Sequence, residues 1–266
     1  MSIHAHTLQF QAVETDLRII AHAGGGSELG NYPNAIECLD RWHATGVRHF
    51  EFDLQWTRDG QLVGLHDWGP TLRRWFDTSD LPWYWRLSLR LRPRHGIPLS
   101  LFKQMPMQGG LTPITPERLA TWLAQHPEAW LVTDIKHRNP AALKVLAECL
   151  GSYRRQVLAQ VFSVQEIDLA RSLGYGQVAW ANYVPKLGLA KLARLLPALP
   201  LDVIVLDEST LASPACDRPL DTLRAAGFEI WVFTVNDPDR VANLPRAING
   251  IITDQLLPAS QPSIGS

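Results

Sequence analysis

"HFEFDLQWTRDGQLVGLHDW", residues 49–68, holds two apolar runs joined by a polar turn. In the first run, 49–54, Glu51 and Asp53 alternate with Phe50, Phe52 and Leu54. A period of two puts the carboxylates on one face of a strand and the apolar side chains on the other. The second run, 62–66, ends in His66-Asp67. The pattern recurs outward in both directions: 17–22 ends in His22, and 130–135 carries Asp134 just before Lys136. Further strand candidates are 156–162, 177–183, 203–206, 229–235 and 250–253, with helical patterns at 34–45, 116–126, 140–149, 164–173, 187–196 and 218–226. Several strands are apolar on both faces, as a buried parallel sheet requires. Repeated β-then-α units over about 250 residues predict an α/β fold, a (β/α)8 TIM barrel in a single domain spanning 1–266. Nine strand candidates compete for eight barrel positions, so at least one lies outside the barrel or is wrongly assigned.

Residues 68–115 break the rhythm. They hold Trp68, Trp75, Trp83, Tyr84 and Trp85, several arginines and several prolines, without clear periodicity. They read as an insertion, or lid, after the third strand, on the face where barrel loops build active sites. Most of these tryptophans are expected to pack, although an aromatic wall for a head group, or a surface that dips into lipid, fits the same composition.

The chain of 266 residues is 46% hydrophobic and 19% charged, which places it among ordinary soluble globular proteins. A net charge of −1 gives no overall field favouring nucleic acid or an anionic membrane. Cys38, Cys149 and Cys216 are odd in number and far apart, which speaks against a disulfide framework and for a reducing cytoplasm. The mixed polar start predicts no signal peptide, and no run approaches the roughly 18 apolar residues of a transmembrane helix. The final QPSIGS, 261–266, is expected to be a disordered tail.

In a barrel, the strand ends converge on one mouth, which gathers His22, Glu51, Asp53, His66, Asp134 and Lys136. Carboxylates that close repel one another unless a cation sits between them. A hard divalent metal, Mg²⁺ or Ca²⁺, with oxygen ligands from Glu51, Asp53 and Asp134 is the simplest resolution. Taken singly, each residue also has a structural reading; Asp67, for instance, is expected to cap a turn.

On these residues the chain resembles the glycerophosphodiester phosphodiesterase family, within the phospholipase-C-like phosphodiesterase superfamily. FEFDLQWTRDGQLVGLHDW at 50–68 matches the family's Glu-x-Asp, Thr-x-Asp-Gly and His-Asp in order and spacing. Asn34 stands at the expected distance before Glu51, DIK at 134–136 stands for Glu-x-Lys, FTVND at 233–237 for Trp-Thr-Val-Asn-Asp, and GIITD at 250–254 for the closing strand. The resemblance implies that His22 and His66 are the general acid/base pair, that Glu51, Asp53 and Asp134 hold the metal, and that Lys136 meets the phosphate. It implies a small-molecule phosphodiester as substrate, with a neighbouring hydroxyl attacking first and water opening the cyclic phosphate.

Departures from the family pattern are specific. IIAHAGGG at 19–26 has Ala23 where the family has arginine, and so resembles a divergent bacterial branch with His-Ala-Gly-Gly. Tyr32-Pro33-Asn34-Ala35 lacks the family's glutamate, and Asp134 replaces a glutamate, as in the sphingomyelinase D branch. Since a phosphate facing three carboxylates needs more than Lys136, Arg73 or Arg74 from the insertion is expected to contact it. The glycines after His22 are expected to leave room for the phosphate. Two alternatives stay open: a lyase that stops at the cyclic phosphate, and a weakly catalytic barrel that binds a phosphorylated ligand.

Overall fold

A computed structural model of the chain describes residues 9–92, 96–212 and 215–259; the tail at 261–266 lies outside them. In chain order the strands are β1 (Gln11–Val13), β2 (Arg18–Ala21), β3 (His49–Trp56), β4 (Leu62–Gly64), β5 (Trp130–Asp134), β6 (Val157–Val161), β7 (Gln177–Ala181), β8 (Val203–Asp207), β9 (Glu229–Phe233), β10 (Gly250–Thr253) and β11 (Leu256–Pro258). Eight of them, β2, β3, β5, β6, β7, β8, β9 and β10, pair in parallel and in that order, and β10 pairs back onto β2 to close the barrel. Strands β1 and β11 form a separate two-stranded parallel sheet.

The surplus strand candidate is 62–66. Strand β4 pairs antiparallel with β3, Leu54 opposite Gly64, and is not a stave of the barrel. Five residues separate β3 from β4, far fewer than the dozen or so that a parallel crossover needs. Thr57 closes the turn, its Oγ1 accepting from Gln61 N at 2.8 Å and donating to Asp59 Oδ1 at 2.6 Å. The insertion, expected after a third barrel strand, instead follows a hairpin arm between the second and third staves, and the strand bearing Asp134 is the third stave.

Outer helices alternate with the staves: α1 (Ile36–Ala44), then α2 (Pro70–Trp75), α3 (Trp83–Leu91) and α4 (Leu99–Phe102) in the insertion, then α5 (Pro116–Gln125), α6 (Asn139–Leu150), α7 (Val164–Ser172), α8 (Leu189–Leu195), α9 (Asp217–Ala225) and α10 (Pro238–Ala242). Their buried faces repeat at helical spacing, as with Leu119, Trp122 and Leu123 on α5. Outward strand residues such as Phe50, Phe52 and Leu54 meet those faces in the main core. Inside the barrel, Ile20, Val132, Leu158, Val203, Val205, Trp231 and Ile252 form a second apolar layer. The insertion has a third core, built on Val63, Leu65, Trp68, Leu72, Trp75, Phe76 and Phe102. Trp68 and Trp75 are therefore packing residues.

Candidate active site

Regular structure in β2 ends at His22, where a single 3-10 turn spans His22–Gly24. Ala23 is left-handed (φ 51°), and a Cβ added to Gly25 (φ 96°) would stand 2.3 Å from the Trp42 indole. Trp42 Nε1 donates to Gly26 O at 3.0 Å, so the packing of Trp42 by itself requires glycine at 25. The turn aims His22 into the barrel. Its Nδ1 lies 3.0 Å from Asp254 Oδ1 and its Nε2 lies 3.9 Å from Glu51 Oε2. Asp254, just beyond β10, is itself fastened: Asn31 Nδ2 and Asn236 Nδ2 donate to its Oδ2 at 3.1 and 2.8 Å. Burial disfavours a charged His22 ring, but the Asp254 hydrogen bond and the carboxylates of Glu51, Asp254 and Asp53 outweigh it and push the ring from 6.5 up to about 9.

The register of β3 and β5 sets Asp53 opposite Asp134, with Glu51 one pleat deeper on the same face. Oxygens of these three carboxylates all lie within 4.8 Å of one another. Glu51 Oε2 accepts from Ala23 N at 2.8 Å, whereas Glu51 Oε1 is buried with no hydrogen-bond partner. Asn34, left-handed at φ 47°, holds Asp53 twice: Nδ2 donates to Asp53 Oδ2 at 3.0 Å, and Oδ1 accepts from Asp53 N at 2.9 Å. Tyr183 donates its hydroxyl to Asp134 Oδ1. Lys136 Nζ lies 3.1 Å from Asp134 Oδ2 and 3.4 Å from Asp53 Oδ1.

Burial and the neighbouring Asp53 hold the Glu51 carboxyl well above the usual carboxylate range. Burial also raises Asp134, against the pull of Lys136. For Asp53, burial is outweighed by Lys136, His66 and His22, and its carboxyl is lowered. Three close carboxylates, one with an orphaned oxygen, fit a hard divalent cation, which would let all three ionise together.

His66 comes from the hairpin arm. Its Nδ1 lies 3.1 Å from Asp67 Oδ2. Asp67 also accepts from Gly69 N at 2.7 Å and Thr71 N at 3.2 Å, so it caps the turn into α2 while holding the histidine. The Tyr32 ring packs between the two histidines, 4.8 Å from the His22 ring centre and 4.7 Å from that of His66. Above the carboxylates opens a cavity of about 460 Å³, lined by His22, Tyr32, Glu51, His66, Asp134, Lys136, Tyr183 and Lys186 among others.

Arg73 and Arg74 are not among its lining residues. Leu72 and Trp75 are the buried positions at the end of α2, and the two arginines between them turn away from that core. Arg74 instead lies on Gly30, where a Cβ would stand 1.7 Å from its Nη2, and donates to Leu29 O at 3.3 Å. Arg73 lines a separate cavity in the insertion. The structure thus brings neither of the two expected arginines to the cavity that holds the histidines.

A second cation besides Lys136 that lines the mouth is Lys186. It sits in the loop after β7, left-handed at φ 49°, with its N–H donating to Asn182 O at 2.7 Å. Sequence reasoning passed over it because VPKLG carries no periodic signal. Asp254 was within reach, since it follows the closing strand at the same end as the other carboxylates. Tyr32 and Tyr183 lie on loops, where spacing says nothing about direction.

A model of the glycerophosphoryl diester phosphodiesterase family matches residues 22–257. The chain belongs to this family. As a glycerophosphodiester phosphodiesterase-like protein it is a phosphoric diester hydrolase. Solved structures with the same fold include the glycerophosphodiester phosphodiesterase of Thermotoga maritima, at 17% identity and TM-score 0.69, covering 91% of this chain and 96% of that one. That of Parabacteroides distasonis gives 17% and 0.65 over 91% and 94%. A phosphodiesterase of Oleispira antarctica, in complex with its product sn-glycerol-3-phosphate, gives 18% and 0.66 over 90% and 93%.

Proposed function

We propose that this phosphodiesterase hydrolyses a glycerophosphodiester-like small molecule to an alcohol and sn-glycerol 3-phosphate, using a divalent ion, Mg²⁺ or Ca²⁺, and a histidine pair. The observation that carries the reading is the pairing of His22 with Asp254 and of His66 with Asp67, both rings lining one cavity above the three carboxylates. Glu51, Asp53 and Asp134 would hold the ion, which offsets charge on the nonbridging phosphate oxygens when bound. Lys136 and Lys186 supply further positive charge to the phosphate, in place of the arginine that Ala23 replaces. One histidine takes the proton of the substrate's neighbouring hydroxyl as it attacks phosphorus, and the other protonates the leaving alkoxide. The roles then reverse as water attacks the cyclic phosphate and opens it to glycerol 3-phosphate, each ring oriented by its aspartate. Tyr32, between the rings, keeps them apart.

The sn-glycerol-3-phosphate bound by the Oleispira antarctica relative supports the glycerol phosphate half of the substrate. A cytoplasmic setting is supported by three free cysteines; among the described residues no helix is long and apolar enough to cross a membrane. The test is hydrolysis of glycerophosphocholine with Mg²⁺, with Ca²⁺ and with EDTA, followed by phosphorus NMR. Release of glycerol 3-phosphate with metal and its loss with EDTA are expected. No turnover of this or any other diester with either ion refutes the reading, and a cyclic phosphate as the end product replaces it with the lyase.

A further inference from the structure

Helix α3 carries three distinct stripes. Trp85 and Leu89 face the core of the insertion. Trp83, Leu87 and Leu91, four residues apart along one face, are 69%, 45% and 68% exposed, and Tyr84 beside them is 53% exposed. Flanking that stripe, Arg86 and Arg90 line a cavity of about 420 Å³ together with Arg73, Trp68 and Thr78. The sequence from 68 to 115 holds seven arginines and lysines against two aspartates, a local charge of +5 in a chain whose total is −1. This apolar stripe lies on the insertion, away from the barrel core that the fold must bury.

We infer that α3 docks this enzyme on an anionic phospholipid bilayer, with Trp83, Tyr84, Leu87 and Leu91 entering the headgroup region and Arg86 and Arg90 receiving lipid phosphates. The aromatic and leucine side chains suit the boundary between headgroups and acyl chains, where rings with one polar edge are at home. The positive charge fits an anionic leaflet and opposes a second copy of the chain, since a symmetric contact through this face would bring two such charged patches together. The three arginines of the cavity converge without a carboxylate among its lining residues, which leaves them available to phosphate. This surface does not depend on which diester the barrel cleaves.

The test is flotation of the full-length protein with vesicles of phosphatidylcholine alone and of phosphatidylcholine with phosphatidylglycerol. Wild type is expected to float with the anionic vesicles and to be released by high salt. Trp83→Ser with Leu87→Ser and Leu91→Ser is expected to abolish flotation, and Arg86→Gln and Arg90→Gln are each expected to weaken it roughly fivefold. All three variants change exposed or cavity-rim side chains, so an unchanged melting temperature and unchanged hydrolysis of a soluble diester identify folded protein. The inference is overturned if wild type ignores anionic vesicles, or if folded variants bind as wild type does. It is also overturned if light scattering shows a dimer that the serine variant dissolves while vesicles remain unbound.

Discussion

Replacing Asn34 by alanine tests how the acidic cluster is held. Asn34 is fully buried and gives Asp53 two hydrogen bonds, at 3.0 Å to its carboxylate and at 2.9 Å from its amide. A bond to a charged group contributes about 1.5–3 kcal/mol, and leaving a buried amide without its acceptor costs about 1–3 kcal/mol more. The left-handed backbone (φ 47°) adds roughly 1 kcal/mol against alanine. Allowing for overlap between these terms, Asn34→Ala should destabilise the protein by about 3–5 kcal/mol. Asn34→Gly, free of the backbone cost, should be roughly 1 kcal/mol less damaging. Urea unfolding followed by circular dichroism, with EDTA present so that metal binding does not mask the loss, measures both. A loss below about 1 kcal/mol for the alanine variant would show that the two bonds do not secure Asp53, and the reasoning would fail.

Asp254→Asn keeps the shape of the His22 partner but removes its charge, and is expected to lower kcat by about 10²–10⁴-fold with little change in KM; steady-state kinetics on glycerophosphocholine decide. Glu51→Gln should weaken the gain in melting temperature on adding Mg²⁺ or Ca²⁺, and a thermal shift equal to wild type would count against Glu51 as a ligand. His49 stacks on Trp130 at an interplanar angle of 7°. Burial, with help from Arg18, pushes it from 6.5 down to about 3. The neutral ring is thus the folded form: its contribution is complete above pH 6.5 and is lost as pH falls toward 3, at up to about 1.4 kcal/mol per pH unit. His49→Phe should flatten that part of the stability profile, and an unchanged slope in urea titrations across the window would contradict the assignment.

Much of the barrel is readable from alternation and spacing, because an α/β barrel buries its staves on both faces and ends them at one mouth. Glu51, Asp53 and Asp134 share that mouth since a period of two fixes their face and the ladder fixes their level. His66 also reaches it, though on a hairpin rather than on a stave. The five residues between β3 and β4 were enough to say so. Arg73 and Arg74 lie outside the lining of the mouth cavity for a related reason: on α2, Leu72 and Trp75 own the buried side, so the two arginines face away from that core. Lys186 and Tyr183 were illegible because loop direction is set by side-chain brackets such as Asn182 to Leu187, at 2.9 Å, which no periodicity announces.

The hairpin arm has a mechanical consequence. His22 stands on a stave locked between two parallel neighbours, whereas His66 leads directly into a segment with a hydrophobic core of its own. His66 is held to stave β3 as well, through the β3–β4 ladder and Gln55 Nε2, which donates to His66 O at 2.8 Å, but it also borders the insertion, and Tyr32 packs between the two rings. A displacement of the insertion, whether by a substrate head group or by a surface on which α3 rests, would bear on His66 before it bears on His22, and so on the gap between the rings. The barrel fixes one jaw of a pincer, and the barrel and the insertion together hold the other.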